Sequence, residues 1–186
     1  MKIKQLIAGL GLGVFALTVV AQPVAAVGST VVVRPSDTQG WTTADTRSNG
    51  TVSFVADATT AFGEGALSLV TGAATGSPLQ DKAQYLHAAN TPLADVTALG
   101  YDTKQVSASF VNGLPSYQLV IDTDGVVGDG FGFTTLVYEP YQNGVVAPNA
   151  WQSWDVDAGQ FWSSKTIPAE NANGGLSAGF GGAPFY

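Results

Sequence analysis

The segment from Ser116 to Asn149 constrains the fold of this chain more than any other. β-Branched and aromatic residues dominate Tyr117–Ile121 and Thr134–Glu139, and such side chains favour the pleated, half-buried surface of a strand. Between the two runs lies an acidic, glycine-rich stretch, Asp122–Gly132, whose Asp-Gly pairs supply the positive φ angles that a tight reversal needs. The pattern predicts a β-hairpin that ends at Pro140.

The rest of the chain predicts further strands rather than helices. Its 23 glycines and few long charged side chains suit many short strands joined by tight turns. Alternating or β-rich composition marks further strand segments at Thr30–Val33, Thr51–Val55, Ala66–Thr71, Ala83–Ala89, Ala98–Thr103, Val106–Val111, Trp151–Asp155 and Gln160–Ser163. We therefore predict an all-β domain, a two-sheet antiparallel β-sandwich of jelly-roll type.

The N-terminus predicts a cleaved secretory signal peptide over residues 1–26. Lys2 and Lys4 form a basic region, Leu6–Val20 is an apolar run, and Val24–Ala26 offers small residues for cleavage. The apolar run is short for a membrane-spanning helix, so a retained anchor is the weaker interpretation. Removing 26 of the 186 residues leaves 160, which predicts one domain at 27–170 and a glycine-rich tail at 171–186. Export to the periplasm or to the cell exterior follows from this prediction.

The charge of the chain and its missing residue types exclude several partners. Loss of Lys2 and Lys4 leaves five basic side chains against 14 acidic ones, a net charge of −9. This sign argues against nucleic acid, against anionic lipid and against stable membrane insertion after cleavage of the signal. The sequence has no cysteine and a single histidine, His87, so disulfides and metal sites built on thiolates are excluded.

The acidic turn is a candidate calcium site. Asp122, Asp124 and Asp129 lie on one turn beside several glycines, and calcium accepts carboxylate and carbonyl oxygens from a flexible loop. The turn is not an EF-hand, because it lacks the bidentate glutamate and the flanking helices. The competing interpretation is a solvated turn in which the aspartates bind their own backbone. We expect any calcium to be structural, with a dissociation constant on the order of 0.1 to 1 mM.

Aromatic residues are concentrated in the C-terminal part of the domain. They are Tyr138, Tyr141, Trp151, Trp154, Phe161 and Trp162. Exposed on one face, such rings stack against sugar rings, whereas buried rings fill the core between sheets. Trp151 and Trp154 are three residues apart, which on one strand places them on opposite faces. The candidate ligand-binding residues are Tyr138, Tyr141, Trp151, Trp154 and Trp162.

Short motifs occur in a fixed order between Val31 and Lys165. They are Gly40-Trp41, Gly63–Leu69, Ala98–Thr103, Pro115-Ser116, Leu119–Gly125, Leu136–Tyr141, Trp151–Asp155 and Trp162–Ser164. In these motifs the chain resembles a largely uncharacterised β-sandwich domain of secreted and surface proteins of bacteria, whose jelly-roll architecture is similar to that of carbohydrate-binding modules. The resemblance implies a fold and an extracellular location, and it brings no catalytic residues. Such domains continue with further strands after the last motif, whereas here a glycine-rich segment follows.

Two patterns bear on catalysis. Gly175–Gly179 spells the G-x-S-x-G nucleophile elbow around Ser177, but that elbow needs a strand before it, a helix after it and a histidine later in the chain. Because His87 precedes the motif, we expect a chance match. Carboxylate pairs such as Asp124 with Glu139 offer a second route, namely hydrolysis of a glycoside.

The sequence as a whole favours a secreted or surface-exposed binding module that is not an enzyme, with glycan as the first ligand class. A secreted glycan-active hydrolase and a purely structural extracellular component are the alternatives. The apolar residues of the last segment, Leu176, Phe180, Phe185 and Tyr186, are sparse among glycines. They predict an incomplete sheet, so that either its open edge pairs with a strand of another chain or the domain is a shortened relative of lower stability.

Overall fold

A computed structural model describes residues 31–60, 63–72, 81–126, 132–168 and 175–186. The predicted signal peptide and Asp129 lie outside the described residues. The strands of the described part are β1 (Thr51–Ala56), β2 (Gly65–Val70), β3 (Gly100–Lys104), β4 (Tyr117–Asp122), β5 (Phe133–Tyr138), β6 (Trp151–Asp155) and β7 (Phe161–Ser163). A 3₁₀ turn covers Leu93–Asp95, and a four-residue helix, α1, covers Pro140–Asn143. Within these ranges no helix is long and apolar enough to cross a membrane.

The strands form three antiparallel sheets. β1 pairs with β2, β3 pairs with β6, and β5 lies between β4 and β7. The all-β prediction is confirmed, because the described residues are mostly strands with almost no helix. The two-sheet jelly-roll arrangement stays a prediction.

The predicted central hairpin is confirmed as the β4–β5 pair. Tyr117 lies opposite Tyr138 at one end of the pair, and Asp122 lies opposite Phe133 at the other. Along β4, half-buried residues alternate with exposed ones, as the two-residue period of a strand requires when one face is covered.

The core lies where β5, β6 and β7 meet. Leu136, Tyr138, Trp154, Val156 and Phe161 form one buried cluster. The Trp154 indole N–H, although buried, is satisfied by a 2.7 Å hydrogen bond to the hydroxyl of Thr103 on β3. The side chains of three strands therefore share a single apolar interior.

The β1–β2 hairpin is different, since none of its residues is fully buried. It is joined to the β3–β6 sheet by side chains at the end of β1. The Asp57 carboxylate accepts a 3.0 Å hydrogen bond from Lys104 of β3, and Thr59 accepts a 3.2 Å bond from the indole N–H of Trp151 on β6. We call Asp57, Thr59, Lys104 and Trp151 the hairpin anchor.

Three strand predictions are wrong. Residues 31–33 contain no strand, and within Ala83–Ala89 only Leu86 makes a bridge, to Thr42. Val106–Val111 is an exposed turn region instead of a strand. The buried side-chain amide of Gln105 donates to the carbonyls of Val111 and Gly113 at 2.8 and 2.7 Å, which fixes a loop where β-branched residues predicted a strand.

Residues 175–186 are integrated into the domain and do not form a separate tail. The backbone of Tyr186 exchanges two hydrogen bonds with Phe161, and the Gly179 N–H donates to the Ser163 carbonyl at 2.9 Å. These bonds occupy the side of β7 that faces away from β5. The edge predicted to stay open is therefore covered here by the chain itself. Pairing of some other edge with another chain stays a prediction.

Candidate ligand-binding site

The five predicted aromatic ligands separate into buried and accessible residues. Tyr138 and Trp154 are 2% and 8% exposed and belong to the core cluster. A ligand on the surface cannot reach these two rings, because they pack against other core side chains. Trp151 and Trp154 do point to opposite sides of β6, as their spacing predicts, and Trp154 is the inward one.

Trp151 is half-buried and belongs to the hairpin anchor. Its indole N–H donates a hydrogen bond to the Thr59 hydroxyl. The Lys104 ammonium lies 6.0 Å from the centre of its ring, within cation–π range. These contacts give Trp151 a structural role between β6 and the loop that follows β1.

Tyr141 and Trp162 each form a pair of partly exposed rings with a phenylalanine. Phe110 meets Tyr141 edge-on with ring centres 5.7 Å apart, and Phe180 lies 6.0 Å from Trp162. Phe180 is 75% exposed, Phe110 56% and Tyr141 37%. We call Phe110, Tyr141, Trp162 and Phe180 the aromatic rim. The phenylalanines were missed because one was assigned to a strand and the other to a tail.

Strand geometry and α1 bring the rim together. Trp162 lies opposite Val137 in the β5–β7 pair, on the face away from Phe161 and the core. Pro140 begins α1 directly after β5, since its fixed φ suits the first turn of a helix, and this places Tyr141 and Gln142 beside the sheet end. The Gln142 amide donates to the Gly181 carbonyl and, at 3.3 Å, to the Tyr141 hydroxyl. The C-terminal segment is thereby tied to α1.

Glu139 lies beside Trp162 of the rim. It follows β5 on the same face as Val137, and burial raises the pKa of its carboxyl group. The indole N–H of Trp162 lowers this pKa in part, although it forms no hydrogen bond of standard length and angle. A half-buried carboxylate among aromatic rings is a strong acceptor for hydroxyl donors.

Two polar atoms at the rim lack a protein partner. Trp162 Nε1 and Gln142 Oε1 are buried, and neither has a hydrogen-bond partner among the described residues. Buried polar atoms in native proteins are rarely left in this state, because each loses its water without replacement. Trp162 Nε1 is a hydrogen-bond donor and Gln142 Oε1 is an acceptor.

The acidic turn is organised by its own backbone. Asp122 Oδ1 accepts from the N–H groups of Asp124 and Gly125 at 3.1 and 2.7 Å, and Asp124 Oδ1 accepts from Val126 at 2.9 Å. Within the described ranges no group of three or more histidine, cysteine or acidic residues is placed to hold a metal ion. Asp129, the third predicted ligand, lies outside those ranges.

Neither catalytic pattern gains support from the geometry. Asp124 lies against Gly132, before β5, whereas Glu139 follows the far end of β5. Six residues of strand separate their positions by about 20 Å, while carboxylate pairs of glycosidases lie roughly 5 to 9.5 Å apart. Ser177 donates its backbone N–H to the Tyr186 hydroxyl at 2.6 Å, and turns rather than a helix follow it.

Comparison with known proteins identifies no relative: no protein-family model, no curated protein and no solved structure matches this chain. Function is therefore inferred from the side chains that the fold brings together. The aromatic rim, with Glu139 and Gln142, is the arrangement in which exposed rings and polar groups converge.

Proposed function

We propose that this protein is a secreted or surface-exposed binding module, without catalytic activity, that takes glycan at the aromatic rim. The observation that carries the proposal is two pairs of partly exposed rings, one beside Gln142 and the other beside Glu139. Large aromatic residues that remain accessible in a continuous group mark interaction sites more often than isolated exposed ones. The predicted signal peptide and the resemblance to secreted bacterial domains support the location.

The chemistry of the rim suits a neutral sugar. A pyranose presents an apolar C–H face, which stacks on aromatic rings, and hydroxyl groups around its edge. Those hydroxyls match the Glu139 carboxylate, which accepts hydrogen bonds. An acidic glycan is disfavoured, because the chain is strongly acidic and Glu139 would repel it.

We further propose that the fold is a jelly-roll sandwich in which the β3–β6 and β4–β5–β7 sheets are the two layers. The shared core supports this: Trp154 of β6 packs in one cluster with Tyr138 and Phe161 of the other sheet. Structural calcium at Asp122, Asp124 and Asp129 stays part of the proposal. If it binds, millimolar calcium raises the melting midpoint relative to chelator, and Asp122→Asn removes the difference.

Glycan-array screening followed by calorimetry tests the binding proposal. Tyr141→Ala and Phe180→Ala should each weaken binding of the best glycan at least fivefold, as loss of a ring in an interface centre costs over about 1 kcal/mol. Phe54→Ala is the matched control, because Phe54 is 37% exposed like Tyr141 but lies on β1. Binding that is equal in all three variants would place the glycan outside the aromatic rim, and absence of binding throughout the array would favour a purely structural component.

Turnover measurements test the absence of catalysis. Chromogenic glycosides and the array glycans should show no release of reducing ends by the wild-type protein. Hydrolysis that is abolished by Glu139→Gln would instead identify the glycan-active hydrolase.

A further inference from the structure

An apolar cavity lies beside the core, on the face of β7 opposite the aromatic rim. Its volume is about 350 Å³, and its walls include Leu93, Val96, Leu99, Leu119 and Phe161. Leu93 is half exposed at the mouth, whereas Phe161 belongs to the buried cluster, so the cavity connects solvent with the core. Cavities of this size and lining are typical of small-molecule sites.

One carboxylate interrupts the apolar lining. Among the residues that the structure describes, Asp157 is the single charged side chain of the wall; it is exposed to solvent, and its Oδ1 accepts a 3.0 Å hydrogen bond from the Leu99 N–H. This bond, followed by a contact with Asp155, lowers the pKa of Asp157, so the group is ionised at neutral pH. In the described part of the chain, no basic side chain lines the cavity to neutralise it.

We propose that this cavity binds a compact apolar molecule that carries an amine, with the ammonium group paired to Asp157. The volume sets the size of the ligand. A dry cavity of about 150 Å³ holds benzene, with six heavy atoms, so about 350 Å³ has room for roughly twice that number. The leucine, valine and phenylalanine walls select the apolar body, and the carboxylate selects the positive head.

Three naphthalene probes that differ only in their head group test this proposal on the wild-type chain. We expect 2-(1-naphthyl)ethylamine to bind saturably in a fluorescence titration. It should bind about twofold to fivefold more tightly than 2-(1-naphthyl)ethanol, because an exposed ion pair adds to the same apolar contact. The anionic 1-naphthaleneacetate should not bind. Equal affinity for all three probes, or no saturation by 1 mM amine, would overturn the proposal.

Variants locate the binding. Leu93→Trp narrows the mouth and should weaken amine binding at least tenfold, while Val106→Trp, at an exposed position outside the lining, should leave it unchanged. Asp157→Asn keeps an acceptor for Leu99 and should abolish the preference for amine over alcohol. Tyr141→Ala should have no effect, which separates this cavity from the aromatic rim. Amine binding that survives Leu93→Trp, or that is lost in Tyr141→Ala, would show that the amine binds elsewhere.

Discussion

The β1–β2 hairpin and the β4–β5–β7 sheet are made of similar residues, yet they are buried very differently. β1 has the sequence TVSFVA and no fully buried residue, whereas β5 has the sequence FTTLVY and four buried residues out of six. β5 has a strand on each side and Trp154 against its inner face, while β1 pairs, in the described part of the chain, with β2 alone. Burial here follows from position in the sheets and not from composition.

The two regions should therefore respond differently to perturbation. An isolated two-stranded hairpin is marginally stable in water, whereas a strand inside a sheet exchanges only with global unfolding. The hairpin depends on the polar contacts of its anchor, and the core sheets depend on apolar packing. Each of the following measurements distinguishes these two sources of stability.

The largest effect is expected from Trp154→Ala. It empties the centre of the core and leaves the Thr103 hydroxyl without its partner, which should cost about 3 to 5 kcal/mol in free energy of unfolding. For a chain of this size the melting midpoint should fall by roughly 6 to 20 °C. Trp151→Ala, three residues away on the outward face, is the matched control and should cost about 1 kcal/mol or less. Equal losses in the two variants would remove the distinction between the regions.

Lys104→Met is expected to change amide exchange in the β1–β2 hairpin only. This change keeps the length of the side chain but removes the 3.0 Å bond to Asp57. Amide exchange in β1 and β2 should accelerate, while exchange in β5 and the melting midpoint change little. Lys82→Met, which breaks a separate exposed pair with Asp45, controls for the loss of one charge. Faster exchange throughout β5 would show that the hairpin and the core unfold together.

Low pH should weaken the hydrogen bonds of Asp57 in the hairpin anchor. Hydrogen bonds from the Thr59 hydroxyl and N–H, and then from Lys104, lower the pKa of Asp57 to about 2. A lowered folded-state pKa stabilises the fold above the unfolded value of 3.8, and this contribution is lost as the pH falls towards 2. Exchange in the hairpin of the wild type should therefore accelerate across this window, and Asp57→Asn should show no such step.

Glu139 should make a smaller contribution to the pH dependence of stability, with the opposite sign to that of Asp57. Burial raises the pKa of the Glu139 carboxyl group, so this group keeps its proton to a higher pH in the folded chain than in the unfolded chain. The contribution of Glu139 to the free energy of unfolding therefore falls as the pH rises above the unfolded value of 4.5. Glu139→Gln should remove this slope and match or exceed the wild-type midpoint at pH 7. Glu64→Gln is an exposed control. A Glu139→Gln profile parallel to that of the wild type would show that burial does not affect this carboxyl group.

The smallest effect is expected from Ser177→Ala. Only the backbone of Ser177 is used in its contact with Tyr186, so neither stability nor ester hydrolysis should change. An ester turnover present in the wild type and absent in this variant would make the G-x-S-x-G motif functional.

Sequence periodicity predicted the strands well and their environment poorly. The β4–β5 hairpin follows from two β-rich runs around an Asp-Gly turn, and the structure pairs the two runs antiparallel. The same composition at Val106–Val111 gave a wrong strand, because the Gln105 amide holds that backbone in a loop. A local pattern contains no information on such a side-chain bond.

The candidate site was predicted only in part. Spacing placed Trp151 and Trp154 on opposite faces of β6, but it did not say which face is the core. Tyr141 and Trp162 were identified as aromatic candidates, whereas Phe180 reaches them through backbone pairing between residues 175–186 and β7. Contacts between distant parts of a chain depend on the sheet order, which no single segment specifies.

Trp151 and Trp154, on opposite faces of β6, also allow unfolding to be followed by intrinsic tryptophan fluorescence. Of the four tryptophans, Trp154 is 8% exposed, while Trp41, Trp151 and Trp162 are partly accessible. Acrylamide should quench the accessible indoles and spare the emission of Trp154, which an apolar environment shifts to shorter wavelength. During unfolding, a red shift of that protected emission reports loss of the core. A rise in the quenchable signal from Trp151 reports release of the hairpin, so fluorescence follows both events without an added label.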